Sequence, residues 1–272
     1  MSMPEVDSWL QTPAGACLRR WEEQAFAELV SDLFGYRALQ IGLPGVDLLA
    51  ANRMPLRLHC SPALRWTGDG APEQPTVFAQ PFALPFATAS IDLVVLPHAL
   101  ECSPHPHQLL REVERVLVAE GSLLISGFNP WSAWGLRRLL NMDKGEMPWC
   151  GRYRSTLRMR DWLKLLGFEV QTVRRGCSIP PFGGESWFER LRWLERPGRR
   201  FRPLAGVWLI HGIKRVQGMR LIMPKWRDAP AATSRLGALS PRSGKSWSPQ
   251  AGSTANCARQ DERQQREDDG SS

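Results

Sequence analysis

The sequence predicts an α/β fold built on a parallel sheet. Three observations carry this. Ile91 to Leu96 is a short apolar run rich in β-branched residues, the pattern of a strand buried on both faces. Gln108 to Val118 places Leu109, Leu110, Val113, Val116 and Leu117 at three- and four-residue spacing, with Arg111, Glu112, Glu114 and Arg115 opposite, as in an amphipathic helix. Gly121 then turns the chain into a second apolar run, Leu123 to Ser126. Strand, crossover helix and strand in this order make a βαβ unit. Ligands of such sheets sit at the carboxyl ends of the strands. Pro97, His98 and Gly127 to Asn129 therefore lie near any site this fold has.

The other elements follow in chain order. Leu18 to Phe34 reads as a helix, with Leu18, Trp21, Ala25, Leu29 and Leu33 on one stripe and Arg19, Arg20, Glu22 and Glu23 elsewhere. Residues 1–35 are thus expected to form a helical cover. Ala38 to Gly45 is the first strand and its turn, Leu56 to Ser61 the second strand, and Thr76 to Ala79 the third. Asn129 reads as the N-cap of a helix, with Pro130 in its first turn and Trp131 and Trp134 following. Arg158 to Leu166 is helical, Gly167 ends it, and Phe168 to Val173 is a strand. Glu185 to Glu195 sets Trp187, Phe188, Leu191 and Leu194 against Arg190 and Arg192, and Val207 to Ile213 is the last strand. The α/β domain is expected over 36–227. From Asp228 to Ser272 there is no Val, Ile, Phe or Tyr. That stretch cannot bury enough apolar area to offset ordering entropy and is expected to be disordered.

Charge is unevenly spread. Residues 1–136 hold 8 Lys/Arg against 14 Asp/Glu, whereas residues 137–227 hold 21 against 7. The basic half implies contact with something anionic, such as lipid headgroups or RNA; equally, its arginines simply solvate exposed helices. No uninterrupted apolar run of membrane-spanning length occurs, and the N-terminus carries Glu5 and Asp7 rather than a secretory pattern. The 6 cysteines show no C-x-x-C spacing, which suits a reduced, cytoplasmic setting.

The stretch "LPF…SIDLVVLPHALE…HQLLREVERVLVAEGSLLISGFNP" resembles the second half of class I S-adenosylmethionine-dependent methyltransferases, closest to the ubiquinone/menaquinone-biosynthesis type. The likeness is good over about residues 36–128 and weaker to about 217. It implies a doubly wound, mostly parallel seven-stranded sheet of Rossmann-like type. It implies S-adenosyl-L-methionine as cofactor and a small-molecule methyl acceptor. The family's acidic residue and Gly-x-Gly-x-Gly after the first strand become Gln40, Gly42, Leu43, Pro44 and Gly45 here. The second strand ends in His59, Cys60 and Ser61 instead of the ribose-binding acid. Gln80 stands where an Asp usually meets adenine, and its amide oxygen accepts the same hydrogen bond. By this resemblance Gln40, Gly42, Leu43 and Gly45 line the methionine end. Ser61 lies near the ribose, Gln80 and Pro81 near adenine, and Leu96 and Pro97 beside the sulfonium, with Phe82 and Leu84 either around the purine or in the core.

The loop from Pro97 to His107 holds His98, Glu101, Cys102, His105 and His107. Its spacing fits no standard zinc pattern, so no metal is expected. His98 is the candidate catalytic base, because imidazole titrates near neutrality and this loop follows the fourth strand. Glu101 is expected to stabilise the helix start. Trp131 and Trp134 either pack or stack on a substrate. Two further readings stay open. A non-catalytic binding or scaffold protein would explain Gln40, Pro44 and the missing acid; an RNA methyltransferase would explain the basic half.

Overall fold

The central strands of the sheet are placed by apolar runs, and the helices that cover them by apolar stripes. The computed structural model describes residues 9–43, 45–62, 75–140, 151–181, 184–191 and 205–216. One unit spans Met1–Met219; the other, Arg220–Ser272, includes the expected disordered tail and lies outside the described residues. The described elements are α1 (Pro13–Val30), β1 (Arg37–Ile41), β2 (Leu56–Ser61), β3 (Thr76–Phe78), β4 (Ile91–Pro97) and α2 (Ala99–Cys102). There follow α3 (Pro106–Val116), β5 (Leu117–Phe128), α4 (Ala133–Leu139), α5 (Thr156–Leu165), β6 (Phe168–Gly176), α6 (Glu185–Leu191) and β7 (Val207–Lys214).

The strands form one seven-stranded sheet in the order β3-β2-β1-β4-β5-β7-β6. All pairings from β3 to β5 are parallel, and β7 runs antiparallel between β5 and β6. The chain winds outward from β1 to β3, returns to β4 beside β1, and winds the other way. The gap between the ends of β1 and β4 is thus the switch point where such sheets bind ligands. β4 is buried on both faces, as its composition predicts. Leu93 and Val95 join the core under α1, with Leu18, Phe26 and Val30. Val94 and Leu96 join the core under α3 and α5, with Leu109, Val113, Met159 and Leu163.

Several elements differ from the expected ones. α1 begins at Pro13, capped by Thr12, whose hydroxyl accepts from the Gly15 amide at 3.2 Å. Its buried stripe is Leu18, Glu22, Ala25, Phe26 and Val30, whereas Trp21, Leu29 and Leu33 sit at the stripe's edge. β5 begins at Leu117 and passes through Gly121. The expected turn is a register shift within one strand, with Glu120 at φ 62°. The cap of α4 is Ser132, whose hydroxyl accepts from the Gly135 amide; Asn129 instead accepts from Trp131 N and donates to Ala205 O. Of the expected helix over 185–195, residues beyond Leu191 lie outside the described residues.

One buried charge cluster ties four elements together. His98 follows β4 as the cap residue of α2, in the left-handed region at φ 49°, and is 3% exposed. Its Nδ1 lies 2.9 Å from Glu101 Oε2, on α2. Its Nε2 lies 3.0 Å from Glu22 Oε1, on α1, close enough to pair charges but out of line for a hydrogen bond. The other oxygen of Glu101 accepts from the Phe128 amide at the end of β5. Burial alone would push the imidazole down. The Glu22 and Glu101 carboxylates outweigh it and hold His98 at about 10, so the ring is a cation at neutral pH. A histidine raised from 6.5 stabilises the fold fully below about 6.5, and that contribution fades as pH rises to about 10. Unfolding free energy is therefore expected to fall by up to about 1.4 kcal/mol per pH unit between those limits. Urea denaturation at several pH values checks this, and His98→Gln should flatten the decline.

Candidate functional site

The switch point is framed by the turn after β1, the end of β2 and the end of β4. Gln40 is fully buried on β1, level with His59 of β2 and Val95 of β4. Its amide nitrogen lies 3.2 Å from Gly42 O, 3.2 Å from Leu43 O and 2.7 Å from Val46 O. Its amide oxygen accepts from Leu48 N at 3.0 Å. Gly42 at φ 101° and Leu43 at φ 46° turn those carbonyls inward. His59 adds a second tie: its Nε2 lies 3.0 Å from the same Gly42 carbonyl. Burial pushes His59 down, so it is a neutral imidazole donating from Nε2. Side chains from β1 and β2 therefore tie down the loop after β1, in which Asp47 accepts from Leu49 N at 2.8 Å and acts on His59 by charge.

At the end of β4, Leu96 and Pro97 are buried, and His98 sits in the charge cluster. The His98 ring packs on Phe128 at 4.3 Å between centroids, and Phe128 stacks on Trp134 at 5.6 Å and on Tyr153 at 4.9 Å. Both nitrogens of the expected base, His98, face carboxylates, Glu101 at 2.9 Å and Glu22 at 3.0 Å, and those carboxylates raise its pKa against the opposing effect of burial. His98 positions α1 and α2 against the sheet. Glu101 likewise spans His98 and the Phe128 amide rather than serving only the helix start.

The remaining expected site residues are spread out. Ser61 is buried at the end of β2. Gln80 and Gly45 are exposed, and Pro81 is half-buried. Phe82 meets His105 edge-on at 6.1 Å, while Leu84 belongs to the core. Pro44 lies outside the described residues. Trp134 is buried and donates to Ile179 O at 2.9 Å, whereas Trp131 is 76% exposed. The histidines of the Pro97–His107 loop diverge, with His107 against Trp162 at 3.9 Å. Among the described residues no group of three His, Cys, Asp or Glu side chains converges as a metal site.

Glu22, off the apolar stripe in the sequence, is buried. The available signal was the i, i+4 row Leu18–Glu22–Phe26, which is wholly buried. Arg154, which donates to Leu100 O at 2.7 Å, carried no motif.

The fit of a nucleoside sulfonium to these residues is poor at its methionine end. The inward carbonyls of Gly42, Leu43 and Val46 are already met by the Gln40 amide, and that of Gly42 also by His59. A carboxylate at position 40 would face the same three carbonyls, oxygen against oxygen. Gln40→Glu is therefore expected to cost roughly 2–4 kcal/mol rather than restore an acidic site. Chemical denaturation reads this out; a variant as stable as the parent would show that the loop readily turns its amides inward.

The comparisons with known proteins agree with this frame. A family model described as "Methyltransferase domain" matches residues 61–125. The uncharacterized protein YafS of Escherichia coli K12 is 35% identical over 179 residues, covering 64% of this chain and 70% of YafS. A SAM-dependent methyltransferase from Thermotoga maritima superposes with TM-score 0.54 at 18% identity, over 72% of this chain and 91% of that one. One from Archaeoglobus fulgidus gives 0.53 at 16%, over 72% and 94%. With the sheet order and the βαβ unit at its centre, these show a methyltransferase domain of the class I S-adenosylmethionine-dependent fold, and the chain belongs to one family with the uncharacterized YafS.

Proposed function

We propose that this chain is a non-catalytic binding protein built on the methyltransferase frame. The observation that carries the reading is the Gln40 amide set against three loop carbonyls, with the neutral His59 on one of them. Family membership implies S-adenosyl-L-methionine as the donor, and in the family an acidic residue answers its charged end. Here uncharged side chains answer the protein's own loop instead. The cation at His98 is balanced by Glu22 and Glu101, so the end of β4 holds a structural ion cluster rather than a poised base.

A second reading, methyl transfer to an unidentified small-molecule acceptor, is favoured by the family-model match over residues 61–125. Isothermal titration with S-adenosyl-L-methionine separates the two. The proposed reading predicts no saturable heat up to about 1 mM, which corresponds to binding weaker than roughly 4 kcal/mol. A dissociation constant in the micromolar range would overturn it and restore the enzyme.

A further inference from the structure

A cavity of about 530 Å³ lies beyond the ends of β4 and β5, away from the loop after β1. Among its described walls are Arg138, Arg152, Arg154 and Arg158, with Tyr153, His107 and Trp162, and no carboxylate. Three elements bring them together: α4 supplies Arg138, the segment before α5 supplies Arg152 to Arg154, and α5 supplies Arg158 and Trp162.

The arginines are ordered in different ways. Arg154 is 8% exposed and is held by Leu100 O at 2.7 Å and Arg152 O at 3.0 Å, with its guanidinium 5.4 Å from the Trp162 ring centre. Arg138 stacks over Tyr153 at 5.2 Å. Burial lowers the Arg154 guanidinium pKa, and Arg152 and Arg158 lower it further by repulsion, against the attraction of Glu101 alone. Arg152 and Arg158 repel Arg154, and an anion between them would relieve that repulsion. Guanidinium forks match phosphate oxygens in geometry as well as charge.

We propose that this cavity binds the phosphate group of a small aromatic phosphate ester. Arg152, Arg154 and Arg158 take the phosphate, and the aromatic group packs at the edges of Tyr153 and Trp162, whose faces already meet Phe128, Arg138, His107 and Arg154. The volume suits one small ligand and is of the size usual for such sites. The assignment stands whether or not the switch point binds a donor, so the two readings fail separately.

The test titrates the full chain with phenyl phosphate, inorganic phosphate and phenyl β-glucoside. Phenyl phosphate should bind saturably, about tenfold or more tighter than inorganic phosphate, and the uncharged glucoside should not bind. The double variant Arg152→Gln/Arg158→Gln changes two exposed side chains and should weaken phenyl phosphate by roughly tenfold or more. No saturable phenyl phosphate binding up to about 10 mM, a value well beyond ordinary ligand affinities, overturns the proposal. Equal binding by inorganic phosphate, or an unaffected double variant, does the same. Single-stranded RNA that binds while phenyl phosphate does not would assign these arginines to a nucleic acid instead.

Discussion

The buried pairing of His98 with Glu22 and Glu101 is the constraint on which the rest of this molecule depends. It joins the covering helix α1 to the end of β4, and through Glu101 it reaches the backbone of β5. A single charge in this position would be costly to bury; three together are tolerable because each is answered within about one hydrogen-bond length. The left-handed backbone at His98 is the local cost of aiming the ring between α1 and α2. Removing either acid would leave the imidazolium short of a partner, so the cluster behaves as one unit. It lies at the carboxyl end of β4, the end of the sheet at which such folds bind ligands.

The loop after β1 applies the same logic with neutral groups. Gln40 offers both a donor and an acceptor, which is what a loop with inward carbonyls and the Leu48 amide requires. An acid could only accept. The glutamine is therefore adapted to the loop as it stands, not an imperfect carboxylate. His59 is lowered and His98 raised by the same balance: at His59 burial outweighs the Gly42 carbonyl and the charge of Asp47, and at His98 two carboxylates outweigh burial. Two histidines in one sheet thus take opposite protonation states from their surroundings. On the far side, the arginine cavity concentrates positive charge on aromatic walls.

Much of the frame was legible in the sequence. The βαβ centre, the place of the last strand and the helices over β4 and β5 all follow from apolar spacing, because core burial writes a period into the chain. The resemblance added the count of seven strands and their mostly parallel sense. What was not legible depends on tertiary neighbours. Glu22 looks like an ordinary helix-surface acid, since nothing local says that His98 will meet it. His98 itself looks like a base because its loop position is visible and its two carboxylate partners are not both nearby in sequence. Ser132 rather than Asn129 caps α4 because Asn129 is drawn to Ala205, a contact 76 residues away. The departures at Gln40 and His59 were visible as letters, but their shared target, the Gly42 carbonyl, emerges only from the folded loop.

The central claim is that the polar groups at the switch point are spent on the protein itself. Long-range nitrogen-15 spectra of the histidine rings at pH 7.5 test it most directly. The account predicts a doubly protonated His98 and a His59 protonated at Nε2 alone, both unmoved by millimolar S-adenosyl-L-methionine. A neutral His98, or a ring whose signals shift as the sulfonium is added, would contradict it.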